Sequence, residues 1–293
     1  MNLTALINPI SGGGHAAEIW RPIADRLAAR GLAPTVEVTQ SQQHAVDTAR
    51  AAAERGDVVI AVGGDGLVRD VACGVVPAGG TMAIVPAGRG NDLARKLELS
   101  HDPEVLADML AAGTVQTYDV IEPVGTSTPV VLGNVYVGID SVSNKAINDN
   151  RWLPGLLVYR LAPVGTILRW HAPTFTVECD GESTTLAAHS VVVANSGAYG
   201  HGLKIVPSAE LDDRLLDVMT VADGPRRKVV KFMSQAKDGS HVESDTVTVR
   251  RATAVTISAD RAVPVFADGD YLGELPISMT VRPAALKLLM PAG

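Results

Sequence analysis

Three short apolar runs in the first third of the chain each end in a glycine-rich turn, and helix-patterned sequence follows each one. "LTALI" (3–7) leads into "NPISGGG" (8–14), "DVVIAV" (57–62) into "GGDG" (63–66), and "TMAIV" (81–85) into "PAGRGND" (86–92). Runs of this length bounded by such turns suit strands buried on both faces. "TVEVT" (35–39) adds an alternating strand. Ile19, Ile23 and Leu27 recur four apart within 16–31, and Gly31 stops that helix. Ser41 can cap an Ala-rich helix ending near Gly56, and further helices are expected at 67–76, 91–97 and 103–112. The alternation predicts βαβ units, hence a parallel sheet with helices on both faces. Ligands of such sheets bind at the carboxyl ends of the strands.

After about residue 122 the pattern changes. Residues 130–139, 174–179, 190–195, 215–221, 246–249, 254–258 and 262–267 read as strands, many separated by turn residues. Helical insertions are expected near 141–170 and 226–237. The predicted fold class is therefore α/β plus all-β. A three-layer α/β domain spans 1–122, and an antiparallel β-sandwich spans 123–283.

The chain has 293 residues, 46% of them hydrophobic and 19% charged, which suits a globular core. Its net charge of −7 argues against nucleic acid as a ligand, because phosphate backbones call for concentrated Lys and Arg. The basic cluster "RRK" (226–228) suits a solvated helix face better than a membrane contact. Cys73 and Cys179 belong to no CxxC pair and read as buried small residues, as in a reducing cytoplasm. "MNLTALINP" lacks the basic leader of a signal peptide, and 183–203 is too polar to span a membrane, so a soluble or peripheral protein is expected.

The glycine turns carry the chemistry. In "NPISGGG", glycines expose backbone N–H groups, and a following helix start favours anions. In "GGDG", glycines let backbone approach a ligand closely, and Asp65 suits a phosphate carrying Mg²⁺ or a hydroxyl donor. In "PAGRGND", Gly88 and Gly90 bracket Arg89, whose fork suits phosphate, while Asn91 and Asp92 can cap the next helix. Each is also a sequence that ordinary turns use. A fourth segment, "FADGDYLGELP" (266–276), places Asp268 and Asp270 around Gly269, and read locally it is a hairpin turn. P-loop, dinucleotide-fingerprint, nucleophile-elbow and HExxH patterns are absent.

Taken in order, these segments resemble the diacylglycerol kinase catalytic family, the soluble lipid kinases that include bacterial diacylglycerol kinases and the sphingosine and ceramide kinases. The resemblance rests on "NPISG" (8–12), "GGDG" (63–66), "PAGRGND" (86–92), "PSAELDDRLLDV" (207–218) and "DGD" (268–270), with support from "NVYVGID" (134–140) and "ANSGAYGHG" (194–202). It implies an ATP-dependent transfer of phosphate to a lipid hydroxyl, diacylglycerol giving phosphatidic acid, in a cleft between the two domains. It also implies that "LKLLM" (286–290) packs back on the first domain, with about 284–293 belonging there.

Position by position, the resemblance assigns ATP contacts to Asn8, Pro9, Ile10, Ser11, Gly12, Thr39, Gly63, Gly64, Asp65, Gly66, Leu67, Arg69, Asp70, Gly88 and Arg89. It makes Asp65 a holder of the Mg²⁺-bound phosphates and Asp268 the proton acceptor. A structural Mg²⁺ would take the Asp213 carboxylate and the carbonyls of Glu210 and Leu215, with Asp119 linking that metal to the active site. Leu67, Arg69, Asp70, Arg89 and Asp270 depart from the family pattern. The two arginines could replace lost hydroxyl and amide contacts by charge. The expected setting is cytoplasmic and peripheral to a membrane, with a lipid substrate and a homodimer as a possible assembly. The segment 151–170 suits either a membrane interface or a helix buried on the sandwich. An NAD kinase, which shares "GGDG", and a silent nucleotide- or lipid-binding relative are the alternatives.

Overall fold

The computed structural model describes residues 2–149, 170–200, 202–224, 232 and 234–292. The chain divides into two compact units. Unit 1 comprises 1–120, 200–202 and 282–293, and unit 2 comprises 121–199 and 203–281.

Unit 1 is built on strands β1 (Leu3–Ile7), β2 (Thr35–Val38), β3 (Val58–Gly63) and β4 (Thr81–Pro86). They form a parallel sheet in the order β2-β1-β3-β4. β1, β3 and β4 are buried almost throughout, as their unbroken apolar sequence requires. Helices α1 (Ala16–Ala29) and α5 (Pro103–Ala112) pack together, as do α2 (Gln42–Glu54) and α3 (Asp65–Val75). The short α4 (Asp92–Lys96) follows β4. The buried seam of α1 is Ala16, Trp20, Ile23 and Leu27, one step from the four-residue spacing that includes Ile19. Ser41 does cap α2, accepting from the His44 N–H at 3.1 Å. Lys287 and Leu288 extend the parallel sheet beside Thr81 and Met82 of β4.

The registers align the strand ends. Ile7 pairs with Val62 and with Val38, and Val62 pairs with Val85. Thr39 and the three glycine turns therefore leave the sheet in one row.

A strand that sequence patterning did not indicate, β5 (Thr114–Val124), begins in unit 1 and ends in unit 2. Unit 2 then contains β6 (Asn134–Gly138), β7 (Thr174–Cys179), β8 (Glu182–Ala194), the short pair β9 (Ala198–Tyr199) and β10 (Leu203–Lys204), β11 (Leu216–Ala222), β12 (Val247–Ala252), β13 (Ala254–Ala259), β14 (Pro264–Ala267), β15 (Asp270–Glu274) and the first part of β16 (Ile277–Met290). Pairing within it is antiparallel. β8 belongs to two sheets. Residues 182–187 pair with β7, and residues 190–194 pair with β6 and β11. Phe175, Val177, Val191, Val193, Val218, Val255, Ile257 and Met279 fill the sandwich core. A second apolar cluster uses the alternate residues Tyr136, Val192, Met219 and Phe266.

One expectation changes. The strand expected over 130–139 shrinks to Asn134–Gly138, because the amides of Leu132 and Gly133 go to the Asp268 carboxylate instead of a ladder. The insertion near 141–170 is helical over α6 (Ile139–Asp149), and the rest of 151–170 up to residue 169 lies outside the described residues. The 226–228 cluster and most of the 226–237 insertion lie there too. Cys73 and Cys179 are both free and buried.

Candidate active site

In unit 1 the row of turns is stitched by backbone contacts. Asn8 donates to the Val62 carbonyl at 3.3 Å and accepts from the Ile10 N–H through Oδ1 at 3.1 Å. Thr39 reaches the Ile7 carbonyl through both its N–H (2.9 Å) and its hydroxyl (3.3 Å). Ala87 donates to the Gly63 carbonyl at 2.9 Å. A Cβ on Gly88 would lie 2.4 Å from the Gly64 Cα, and one on Gly12 would lie 2.6 Å from the Ala87 carbonyl oxygen. Side chains are excluded there because backbone meets backbone. The expected nucleotide contacts at 8–12, 39, 63–66 and 88–89 thus share the carboxyl edge of one sheet.

Three of the five departures from the family pattern are packed inward. Leu67, Arg69 and Asp70 are all buried. The Arg69 guanidinium donates to Asp70 Oδ1 from Nε (3.0 Å) and Nη2 (2.6 Å), and Gln42 Nε2 donates to the same oxygen at 3.2 Å. This ties the start of α2 to α3. Arg89 is exposed in its turn.

Asp65 answers why a carboxylate stands among glycines. Its Oδ2 accepts from the Asn91 N–H at 2.8 Å and its Oδ1 from the Asp92 N–H at 2.6 Å. It caps α4 from another part of the chain. The expectation that Asn91 caps this helix is corrected. Asn91 sits at the cap position with φ 54° and makes no side-chain cap bond. Its amide instead closes the turn on Gly88, accepting from the N–H at 2.9 Å and donating to the carbonyl at 3.0 Å.

Asp119 in unit 1 accepts from the Ala284 N–H at 2.7 Å. In unit 2, Asp268 and Gly269 form a two-residue hairpin turn between β14 and β15, with φ of 46° and 90°. Positive φ at both positions is what the hairpin with an Asp-Gly centre demands. The Asp268 carboxylate accepts three amides: Gly133 (2.9 Å) and Asn134 (3.0 Å) at Oδ1, and Leu132 (2.8 Å) at Oδ2. The local reading as a hairpin turn holds, and its carboxylate gathers the 132–134 backbone. Sequence reasoning missed the 132–134 loop, whose only signal was "LGN" interrupting a strand pattern.

The loop before β11 holds Asp213, Glu210 and Leu215. Asp213 Oδ1 accepts from the Leu215 N–H at 3.0 Å. Its Oδ2 is buried and has no hydrogen-bond partner among the described residues, with the Arg251 guanidinium 3.6 Å away. Among the described residues no cluster of three or more His, Cys, Asp or Glu could hold a metal. The set implied by the family resemblance needs only one carboxylate and two backbone carbonyls. An orphaned buried carboxylate oxygen fits an oxygen-seeking cation.

The fold and the turn-built cradle define a two-unit kinase architecture, a parallel α/β unit followed by an antiparallel β-sandwich unit. Residues 2–122 match the diacylglycerol kinase catalytic domain, and residues 133–290 match the YegS C-terminal NAD kinase beta sandwich-like domain. The chain is 32% identical to a diacylglycerol kinase of Mycobacterium tuberculosis over 99% of this chain and 95% of that one. It is 22% identical to a diacylglycerol kinase of Bacillus subtilis, covering 92% and 90%. In fold it is similar to the crystal structure of a diacylglycerol kinase from Bacillus anthracis (TM-score 0.75, 19% identity, 98% and 96% covered). It is less similar to an NAD kinase from Archaeoglobus fulgidus solved with ATP (TM-score 0.54, 15% identity, 99% and 94% covered). The chain belongs to the diacylglycerol kinase catalytic family, and it is a lipid kinase of that kind. No helix among the described residues is long and apolar enough to cross a membrane.

Proposed function

We propose that this protein transfers the γ-phosphoryl group of ATP to the hydroxyl of diacylglycerol, giving phosphatidic acid and ADP. The observation that carries the proposal is the row of glycine turns at the carboxyl ends of β1, β3 and β4, in a chain 32% identical to a diacylglycerol kinase over nearly its whole length. Phosphoryl transfer needs alignment and charge neutralisation more than covalent chemistry. The backbone amides at the start of α3 supply donors for the phosphates, and Arg89 adds a bidentate cation. Asp268 takes the hydroxyl proton as the lipid oxygen attacks phosphorus and the β–γ bridge breaks.

Asp213, with the carbonyls of Glu210 and Leu215, would hold a Mg²⁺, and Asp119 would couple that site to the reaction. When bound, the ion supplies positive charge beside an Asp213 oxygen that accepts no hydrogen bond among the described residues. Work at a cytoplasmic membrane surface follows from the acceptor, which resides in lipid.

The test is transfer of radiolabel from γ-labelled Mg²⁺-ATP to a panel of acceptors: diacylglycerol, ceramide and sphingosine in mixed micelles, and free NAD. Label in phosphatidic acid supports the proposal. Label confined to NADP, or to another lipid, replaces it.

A further inference from the structure

We infer that Asp65 is a positioning residue, which fixes the 88–92 turn and through it Arg89. The inference departs from the role that family resemblance gives this carboxylate, and it uses the lipid kinase reading only for its activity readout.

The geometry points this way from both sides of the contact. On one side, each Asp65 oxygen meets the N–H of a successive residue, Asn91 at 2.8 Å and Asp92 at 2.6 Å. Such paired amides are what a helix N-terminus donates to a capping carboxylate. The two amides take one lone pair on each oxygen and fix the orientation of the carboxylate against the turn.

On the other side, Arg95 Nε donates to the Gly90 carbonyl at 2.8 Å, and Asp65 is the carboxylate that holds the two backbone amides just after Gly90. The Asn91 side chain, which would ordinarily cap α4, is occupied by Gly88. The turn is therefore closed at Gly88 and Asn91 and hung from Asp65. Gly90 presses the same carboxylate: a Cβ there would lie 2.6 Å from Asp65 Oδ2. Arg89 stands between these fixed points. Moving the carboxylate moves the residue proposed to receive the phosphates.

Asparagine is nearly isosteric with aspartate, yet it keeps one acceptor and aims an NH₂ donor at the other N–H. Asp65→Asn should therefore raise KM for Mg²⁺-ATP about 10- to 100-fold, the size expected for losing one charge-assisted bond and facing donor with donor. KM for the lipid and the Mg²⁺ half-saturation at fixed ATP should stay near wild type. Amide hydrogen exchange at Asn91 and Asp92 should accelerate in the same variant, measured without nucleotide or lipid. Gly90→Ala keeps the carboxylate and displaces it, so it should move KM and the exchange in the same direction. This second variant decides the matter if Asp65→Asn does not fold.

Unchanged exchange at 91 and 92, together with a raised Mg²⁺ requirement, would overturn the inference and make Asp65 a metal ligand. If the wild type transfers label to no lipid, the proposed function fails, while the exchange experiment still decides the role of Asp65.

Discussion

Asp180 and Asp268 occupy the same place in two Asp-Gly hairpin turns, and each turns its carboxylate onto the backbone of a neighbouring segment. Asp180 and Gly181 join β7 to β8 with φ of 50° and 88°, and Asp180 Oδ1 accepts from the Thr253 N–H (3.0 Å), the Thr253 hydroxyl (2.7 Å) and the Ala254 N–H (2.9 Å). Asp268 does the same to Leu132, Gly133 and Asn134. One turn thus serves as an internal control for the other.

Asp268→Asn should lower turnover at least about 10²-fold, the scale of a positioned proton acceptor, while its unfolding midpoint falls by about as much as that of Asp180→Asn. Asp180→Asn should leave KM and kcat near wild type. Steady-state kinetics on both variants checks this. Near-normal turnover in Asp268→Asn would leave Asp268 with only the loop-holding role that Asp180 has.

The same pair makes a pH prediction. Hydrogen bonds from the Thr253 hydroxyl and from the Ala254 and Thr253 amides hold Asp180 below the ordinary carboxylate range. A depressed folded value means the stabilisation is complete above the unfolded value, near 4, and is lost as pH falls through the folded one. The group is exposed, so screening limits the contribution to on the order of 1 kcal/mol. The difference in unfolding midpoint between wild type and Asp180→Asn should be present at neutral pH and vanish in acid.

Asp140 should behave in the opposite sense. It lines a cavity of about 350 Å³ in unit 2, and burial pushes its carboxyl up, only partly offset by the Ser190 hydroxyl at 2.9 Å. Its charged form therefore costs stability at neutral pH, and that cost fades as pH falls through the raised value. Asp140→Asn keeps an acceptor for Ser190. It should raise the unfolding midpoint at neutral pH, with the gain shrinking as the buffer is acidified.

Gly133→Ala tests the loop that Asp268 holds. A Cβ at 133 would lie 2.6 Å from Asp268 Oδ1 and 3.4 Å from Ser196 Oγ. The carboxylate is pinned by three amides and cannot swing aside without losing bonds. Turnover should fall more than lipid KM changes, read by initial rates across lipid concentration.

Metal withdrawal is the fifth test. If Asp213 holds Mg²⁺, chelation should lower the unfolding midpoint of the wild type, because a ligand of the folded state stabilises it by mass action. Asp213→Asn should make the midpoint insensitive to both Mg²⁺ and chelator.

Much of unit 1 was legible because its strands are buried on both faces: the β1 bounds and the Ser41 cap follow directly from local pattern. β5 was not, because its first four residues are exposed and its sequence mixes Gln, Tyr, Asp and Glu with Val and Ile. The site residues were legible as turn chemistry, but their partners were not. Asp65 meets residues 26 and 27 positions later, and Asp268 meets residues 134 to 136 positions earlier. No local periodicity carries contacts of that separation. The positive φ of Asn91 is the one structural hint that its helix needed a cap from elsewhere.

The late strand beside β4 also bears on how the molecule is made. Strands β1 to β4 are synthesised first, yet the β4 edge stays bare until Lys287 and Leu288 have been translated. An apolar sheet margin therefore waits through most of synthesis, when nascent chains ordinarily complete their amino-terminal parts early. Ribosome-bound intermediates of this chain should accordingly depend on chaperones that shield an open sheet margin.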